Sequence, residues 1–207
     1  YNVEKDLPIE GEGYPMKREE FRAWAAEGVR ILDGAMGSNL RVMGMGNDEC
    51  SELWAEAHPD LVEDLLRRYV EAGSEIIYAP TFQAQPKALQ KFGREADTES
   101  LNAGLAALAR RAAGGQALVA GDLATMAATV ESWDEANFDT MTEDYRRQIR
   151  GLVDGGVDLL VAETLMYPTE AEAILAAAEM EGAPAVLYSF TMQPDGSLFS
   201  GRDALPI

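Results

Sequence analysis

Cysteine and histidine are nearly missing from this sequence: Cys50 is the one cysteine and His58 the one histidine in 207 residues. A lone cysteine excludes an intrachain disulfide framework and suits a reducing compartment. The same scarcity excludes a zinc site of the usual Cys/His kind built from this chain alone, because such sites take three or four protein ligands. Long apolar runs are missing too. None approaches the ~20 residues of a membrane helix, and residues 1–15 are polar and acidic with no apolar signal core. A cytoplasmic protein is the expectation. Basic residues are few, with 17 Lys and Arg against 36 Asp and Glu and a net charge of −19. That field excludes nucleic acid and anionic membrane, since both are bound by neutralising phosphate with basic side chains. A small zwitterion, steered by local groups, is not excluded.

What is present is regular. Residues 1–15 carry Gly and Pro breaks and no period, and read as a tail or cloning remnant, with Met16 a natural start. From Lys17 onward, short apolar runs alternate with segments of helical period, the pattern of repeated βα units and a parallel sheet. Five runs read as buried strands: 29–33, 75–81, 117–122, 157–163 and 185–191. They are nearly continuous in apolar residues, as parallel strands covered on both faces are. Helices are expected over 60–72, where Leu61, Leu65 and Tyr69 stack beside Val62, Leu66 and Val70, and over 98–113, 142–154 and 169–181. Thr169 and Glu172 form a capping-box pattern for the last.

An internal repeat supports this reading. Residues 71–82 (EAGSEIIYAPTF) and 154–165 (DGGVDLLVAETL) both pass from an acidic helix end through glycine into an apolar strand. Glycine is expected where a helix stops in a left-handed conformation. The spacing fits a barrel or a doubly wound sheet. The turn after the first run, Gly34 to Gly37, is only a loose G-x-x-G without the third glycine of a nucleotide-binding turn. Polar residues at the strand ends (Asp33, Thr81, Asp122, Glu163, Thr191) fit the loop face of a barrel better. A barrel of this class has eight strands, of which five are counted here.

Strand-end carboxylates can hold an ammonium group, act as acid and base, or simply cap the next helix. Asp33 and Glu163 would face across a barrel mouth, with Gly34 and Gly37 letting backbone amides approach a ligand. Thr81, Phe82 and Gln83 lie just beyond the second strand, where a hydroxyl and an amide could meet a carboxylate. Asp122 ends the third strand ahead of Thr125. Trp133 and Tyr167 lie in loops and suit packing better than donor binding. Cys50 and His58, in a loop-like stretch before the second strand, suit structural roles better than catalytic ones.

Taken in order, several segments resemble the homocysteine S-methyltransferase family, which includes the homocysteine-binding module of cobalamin-dependent methionine synthase and betaine–homocysteine methyltransferase. They are Ile31-Leu32-Asp33-Gly34-Ala35-Met36-Gly37-Ser38, Cys50-Ser51-Glu52-Leu53-Trp54 with His58-Pro59-Asp60, and Tyr69-Val70-Glu71-Ala72-Gly73 leading into Ile76 to Phe82. Val161-Ala162-Glu163-Thr164-Leu165, Phe190-Thr191, Asp195-Gly196 and Ser200-Gly201 continue the order. The resemblance implies a zinc-dependent (βα)8 TIM-type barrel, of which residues 16–207 hold about the first five βα units. It implies that Asp33 and Glu163 hold the amino group of homocysteine or a similar thiol amino acid, with the Gly34 turn near its carboxylate. Thr81, Phe82 and Asp122 would line the pocket. It further implies methyl transfer to the thiol, from a methylcorrinoid protein, a sulfonium or a betaine.

One departure stands out. The family's zinc cysteines lie beyond the fifth strand and have no counterpart in these residues, so the chain as given is expected to bind no stoichiometric zinc and to be inactive alone. A complementing segment or an oligomer would then cover the open sheet edge. Two other readings remain at this point. One is a non-catalytic amino-acid-binding or partner module. The other is an aldolase-type barrel, disfavoured because none of the five strands carries the lysine a Schiff base needs.

Overall fold

The two copies of the internal repeat fold alike: each is a helix end, a left-handed glycine (Gly73 at φ 108°, Gly156 at φ 83°) and a parallel strand. The structure is a computed structural model and describes residues 15–127 and 135–200. Residues 1–14, Trp133 and Gly201 lie outside the described part. In chain order the principal elements are α1 (Arg18–Ala26), α2 (Gly37–Val42), α3 (Ser51–Ala57), α4 (Pro59–Ala72), β1 (Ile76–Tyr78), α5 (Pro86–Leu89), α6 (Thr98–Ala113), β2 (Leu118–Ala124), α7 (Glu135–Asp154), β3 (Leu159–Leu165), α8 (Pro168–Met180) and β4 (Val186–Phe190).

The strands form one parallel sheet in the order β1-β2-β3-β4. Sequential order with helical crossovers is that of a barrel wall; a doubly wound sheet would reverse midway. The first expected strand is corrected by the structure. Residues 29–33 make only one parallel bridge, Leu32 to Ile76. The Ile31 carbonyl accepts the Glu75 N–H at 2.7 Å, but the Ile31 N–H donates to the Glu75 carboxylate and the Tyr78 N–H to the Asp33 carboxylate. Side chains therefore take ladder positions that backbone would fill. Val29, Ile31 and Leu32 are also 87, 53 and 45% exposed, so little burial holds the segment flat. The wall is four strands and a bridge.

Alternation along the strands gives the sheet two coats. Ile77, Val119, Leu160 and Ala162 face the helices, meeting Val62, Leu65 and Leu66 of α4, Leu105 of α6 and Ile149 of α7. Each Val, Leu or Ile side chain among them, fully buried, contributes about 1.5–3 kcal/mol. The expected stripe on α4 is shifted: Leu61 is 43% exposed and Val62, Leu65 and Leu66 carry the contact. The opposite, inner face presents Ile76, Leu118, Ala120, Leu159 and Val161, covered by Met16 and Trp24. Helix α1, which brings Trp24 there, has no counterpart among the expected elements. Met16 also donates its N–H to the Asp158 carbonyl and accepts from the Ala185 N–H, both at 2.8 Å. The lower inner wall is thereby sealed, and the upper end stays open.

Other boundaries moved as well. Helix α7 starts ahead of residue 142, and 51–57 is a helix where a loop was expected. Glu170 caps α8, accepting the Met166 and Tyr167 N–H groups, so the expected Thr169–Glu172 pair is not the cap. Among the described residues no helix is long and apolar enough to cross a membrane.

Candidate active site

At the upper end of the inner face a cavity of about 490 Å³ opens between β1, β2, β3 and the 33–37 turn. Asp33, Gly34, Phe82, Asp122 and Glu163 all line it. Each arrives by a different local cause. Asp122 and Glu163 continue the inward parity of Ala120 and Val161 on β2 and β3. Asp33 is fixed by its bond to the Tyr78 N–H at 2.9 Å. Gly34 is required by close approach: a Cβ there would stand 2.9 Å from the Tyr69 ring and hydroxyl. The Tyr69 hydroxyl bonds the Ala35 carbonyl at 3.0 Å and accepts from Asn39, so helix α4 clamps the turn as well as packing on the sheet.

Thr81 is the exception among the expected lining residues. It is fully buried and does not reach the cavity. Its hydroxyl donates to the Asp122 carbonyl at 3.0 Å and accepts the Asp122 N–H at 3.1 Å, tying the segment that follows β1 to β2. A polar residue after a strand reads the same from sequence whether it points in or latches sideways.

Sequence reasoning missed Glu52, Ser51 and Tyr78, which also line the cavity. Glu52 is almost fully buried, and accepts the Gln83 N–H at 2.9 Å, the Ser51 hydroxyl at 3.0 Å and the Cys50 thiol at 3.1 Å. The signal was available in the acidic residue of an otherwise apolar helix start, Ser51-Glu52-Leu53-Trp54. Tyr78 shares strand parity with Ile76, which the continuous apolar run concealed.

Among the described residues the cavity is lined by carboxyl groups and by no Lys or Arg. Burial pushes Asp33 up to about 7, the Glu163 charge adding to the effect and the Tyr78 N–H opposing it. Burial, then the charges of Glu163, Asp33 and Glu52, hold Asp122 well above the carboxylate range. Its Oδ1 is sealed from solvent without a hydrogen-bond partner. Burial also raises Glu163. Desolvated carboxyls that repel one another favour a cationic guest, which would relieve both costs.

Zinc, implied by the family resemblance, does not fit the described residues. Among them no three His, Cys, Asp or Glu side chains converge as metal ligands. The Cys50 thiol is tied to Glu52, opens on a separate hollow of about 260 Å³, and is pushed up to about 11 by burial and the Glu52 charge. A thiol so held is a poor nucleophile at neutral pH. His58 stacks on Trp54 at 4.0 Å between ring centroids, with Nδ1 2.9 Å from the Trp54 carbonyl.

An arc of parallel βα units, with polar groups gathered beyond the strand C-termini, defines a (βα)-barrel-type protein. Comparison with known proteins narrows the class. The family profile described as homocysteine S-methyltransferase matches residues 30–205, and the chain belongs to that family. The homocysteine S-methyltransferase of Escherichia coli (strain K12) is 26% identical over 193 residues, covering 84% of this chain and 62% of that protein. The chain therefore spans less than two thirds of that relative's length. Crystal structures of the homocysteine methyltransferase MmuM from Escherichia coli, in oxidized and metallated forms, superpose with a TM-score of 0.76 at 25% identity, covering 89% of this chain and 70% of theirs. The apo form, at 22% identity and a TM-score of 0.68 over 85% of this chain and 64% of its own, is alike in fold.

Proposed function

We propose that residues from Met16 onward form the amino-acid cradle of a homocysteine S-methyltransferase, in which a methyl group passes to the sulfur of homocysteine. The observation that carries this is the cavity shared by Asp33, Asp122 and Glu163, which no Lys or Arg among the described residues lines. An α-ammonium group would neutralise Asp33 and Glu163 and draw Asp122 toward its ionised form. Among the described residues these carboxyls do not converge at metal-binding distance, which suits an organic cation better than a bare ion. The 33–37 turn would offer backbone amides to the substrate carboxylate, and Met36, Pro80 and Phe82 an apolar wall for its methylenes. In the transfer, the thiol gives up its proton, the sulfur–carbon bond forms as the donor–methyl bond breaks, and the donor departs with the bonding pair. The donor, a methylcorrinoid protein, a sulfonium or a betaine, would enter at the open end. Family membership favours this reading over a non-catalytic binding module, and the lone free thiol suits a reducing cytoplasm.

Calorimetry with the 207-residue chain tests it. L-homocysteine should bind at least about tenfold more tightly than 2-hydroxy-4-mercaptobutanoate, which lacks the ammonium, and Glu163→Gln should cost about 1.5–3 kcal/mol. Equal affinity for the two ligands would remove the amine from the account.

A further inference from the structure

Thr164 is the one residue other than glycine with positive φ among the described residues, at 59°. A β-branched side chain there strains the backbone, a cost that native structures keep where surrounding contacts enforce it and that clusters at functional sites. The position is immediately after Glu163. Pairing of β3 with β4 slips at the same place: Ala162 opposes Tyr188 and Leu165 opposes Phe190, so three steps on β3 match two on β4. Ala162 and Leu165 both pack into the helix-side core, and the two residues between them both turn away from it. This is a β-bulge, which re-aims side chains at the rim of a sheet.

Two hydrogen bonds hold the bulge. The Thr164 hydroxyl donates to the Glu163 carbonyl at 2.6 Å, and the Thr164 N–H donates to the Ser189 hydroxyl on β4 at 3.3 Å. The first ties down the peptide that follows Glu163; the second anchors it to the neighbouring strand. Among the described residues no hydrogen bond restrains the Glu163 carboxylate, so its direction there follows from its backbone.

We infer that Thr164 is a positioning residue for Glu163: the bulge it locks, together with Ser189, sets the direction in which the Glu163 carboxylate meets the substrate's ammonium group. The inference rests on the amine-binding reading above. A bulge that served only to end the strand would tolerate glycine without any effect on the ligand, because glycine adopts this φ freely.

Homocysteine binding and thermal unfolding are measured on the 207-residue chain and on Glu163→Gln, Thr164→Gly, Thr164→Asn and Ser189→Ala. Thr164→Gly should keep or raise the melting temperature while weakening homocysteine at least about fivefold, since loss of pre-set geometry costs binding without costing the fold. Asn tolerates left-handed backbone and carries a local donor, so Thr164→Asn should recover most of the affinity. Ser189→Ala should show a smaller loss in the same direction. If Glu163→Gln weakens binding and Thr164→Gly and Ser189→Ala both bind like the parent, the positioning role is refuted and the amine site stands. If Glu163→Gln also binds like the parent, the amine site fails and the positioning role falls with it.

Discussion

Asp33 reaches β1 with its side chain, Oδ2 accepting the Tyr78 N–H at 2.9 Å. A carboxylate oxygen thus stands where a backbone carbonyl would complete the ladder. The same carboxyl lines the cavity beside Glu163. One residue ties the first segment to the sheet and supplies charge to the site, so its ionisation is linked to both stability and binding.

The stability consequence has a definite sign. Asp33 is raised to about 7 in the folded chain, against about 3.9 in an unfolded one. Between those values the folded state holds the proton and the unfolded state has lost it, so stability falls as pH rises from about 4 to about 7. Asp33→Asn removes this slope and keeps an oxygen for the Tyr78 N–H. At pH 8 the variant should exceed the parent by about 1–3 kcal/mol, after allowing for solvent around a partly exposed carboxyl. At pH 4 the two should be nearly equal. Urea unfolding at both pH values checks it, and a difference that does not change with pH would contradict the assignment.

Binding runs the other way. An ammonium group entering the cavity favours ionised Asp33 and Asp122 and lowers their pKa values, so homocysteine binding near pH 7 should release protons. Affinity should weaken several-fold from pH 8 to pH 6. Calorimetry in two buffers of different ionisation enthalpy reads the release directly. Proton uptake would place something other than a cation against these groups.

Helix packing gives a third test. A Cβ on Gly155 would lie 2.5 Å from the Ala106 Cβ and 2.7 Å from the Ala103 carbonyl, and one on Gly151 would strike the Glu99 carbonyl. Gly151 within α7 and Gly155 just past its end let α7 lie against α6. Gly155→Ala should destabilise by about 1–3 kcal/mol through overpacking. Gly104, inside α6 with open space at its Cβ, is the control, and alanine there should stabilise by about 0.5–1 kcal/mol. Equal effects at the two positions would show that helix propensity, and not contact, decides.

Legibility followed periodicity. Helix α6 matched its expected bounds because Leu101, Leu105 and Leu108 keep one face through four turns. The ends of β2 and β3 carry Asp122 and Glu163 to the cavity that the bridged segment ending in Asp33 also lines. The misses are positions where side chains replace regular backbone partners. The 29–33 run looks like a strand, yet Glu75 and Asp33 take its ladder bonds. Thr81 and Glu163 are both polar residues at strand ends, and only three-dimensional contacts separate the latch from the lining. The left-handed backbone at Thr164 leaves no trace in composition.

Glu170 supplies the last prediction. It is fully buried, and its two oxygens divide four donors: Oε1 accepts the Thr125 hydroxyl at 2.6 Å and the Met126 N–H at 2.8 Å, and Oε2 accepts the Met166 N–H at 2.9 Å and the Tyr167 N–H at 3.1 Å. The loops that follow β2 and β3 are therefore joined through one carboxylate. Glutamine is not a conservative replacement here. Its amide can accept on one side only: with its oxygen toward the Met166 and Tyr167 N–H groups, its NH₂ can donate to the Thr125 hydroxyl but still opposes the Met126 N–H. Glu170→Gln should cost about 1–3 kcal/mol, as the buried Met126 N–H loses its acceptor and faces another donor while the Thr125 hydroxyl turns to accept. Glu170→Ala should cost at least as much, with all four donors orphaned. Chemical denaturation of both variants measures it. A loss below about 0.5 kcal/mol for Glu170→Gln would mean that these loops are held by other contacts and that the carboxylate is incidental.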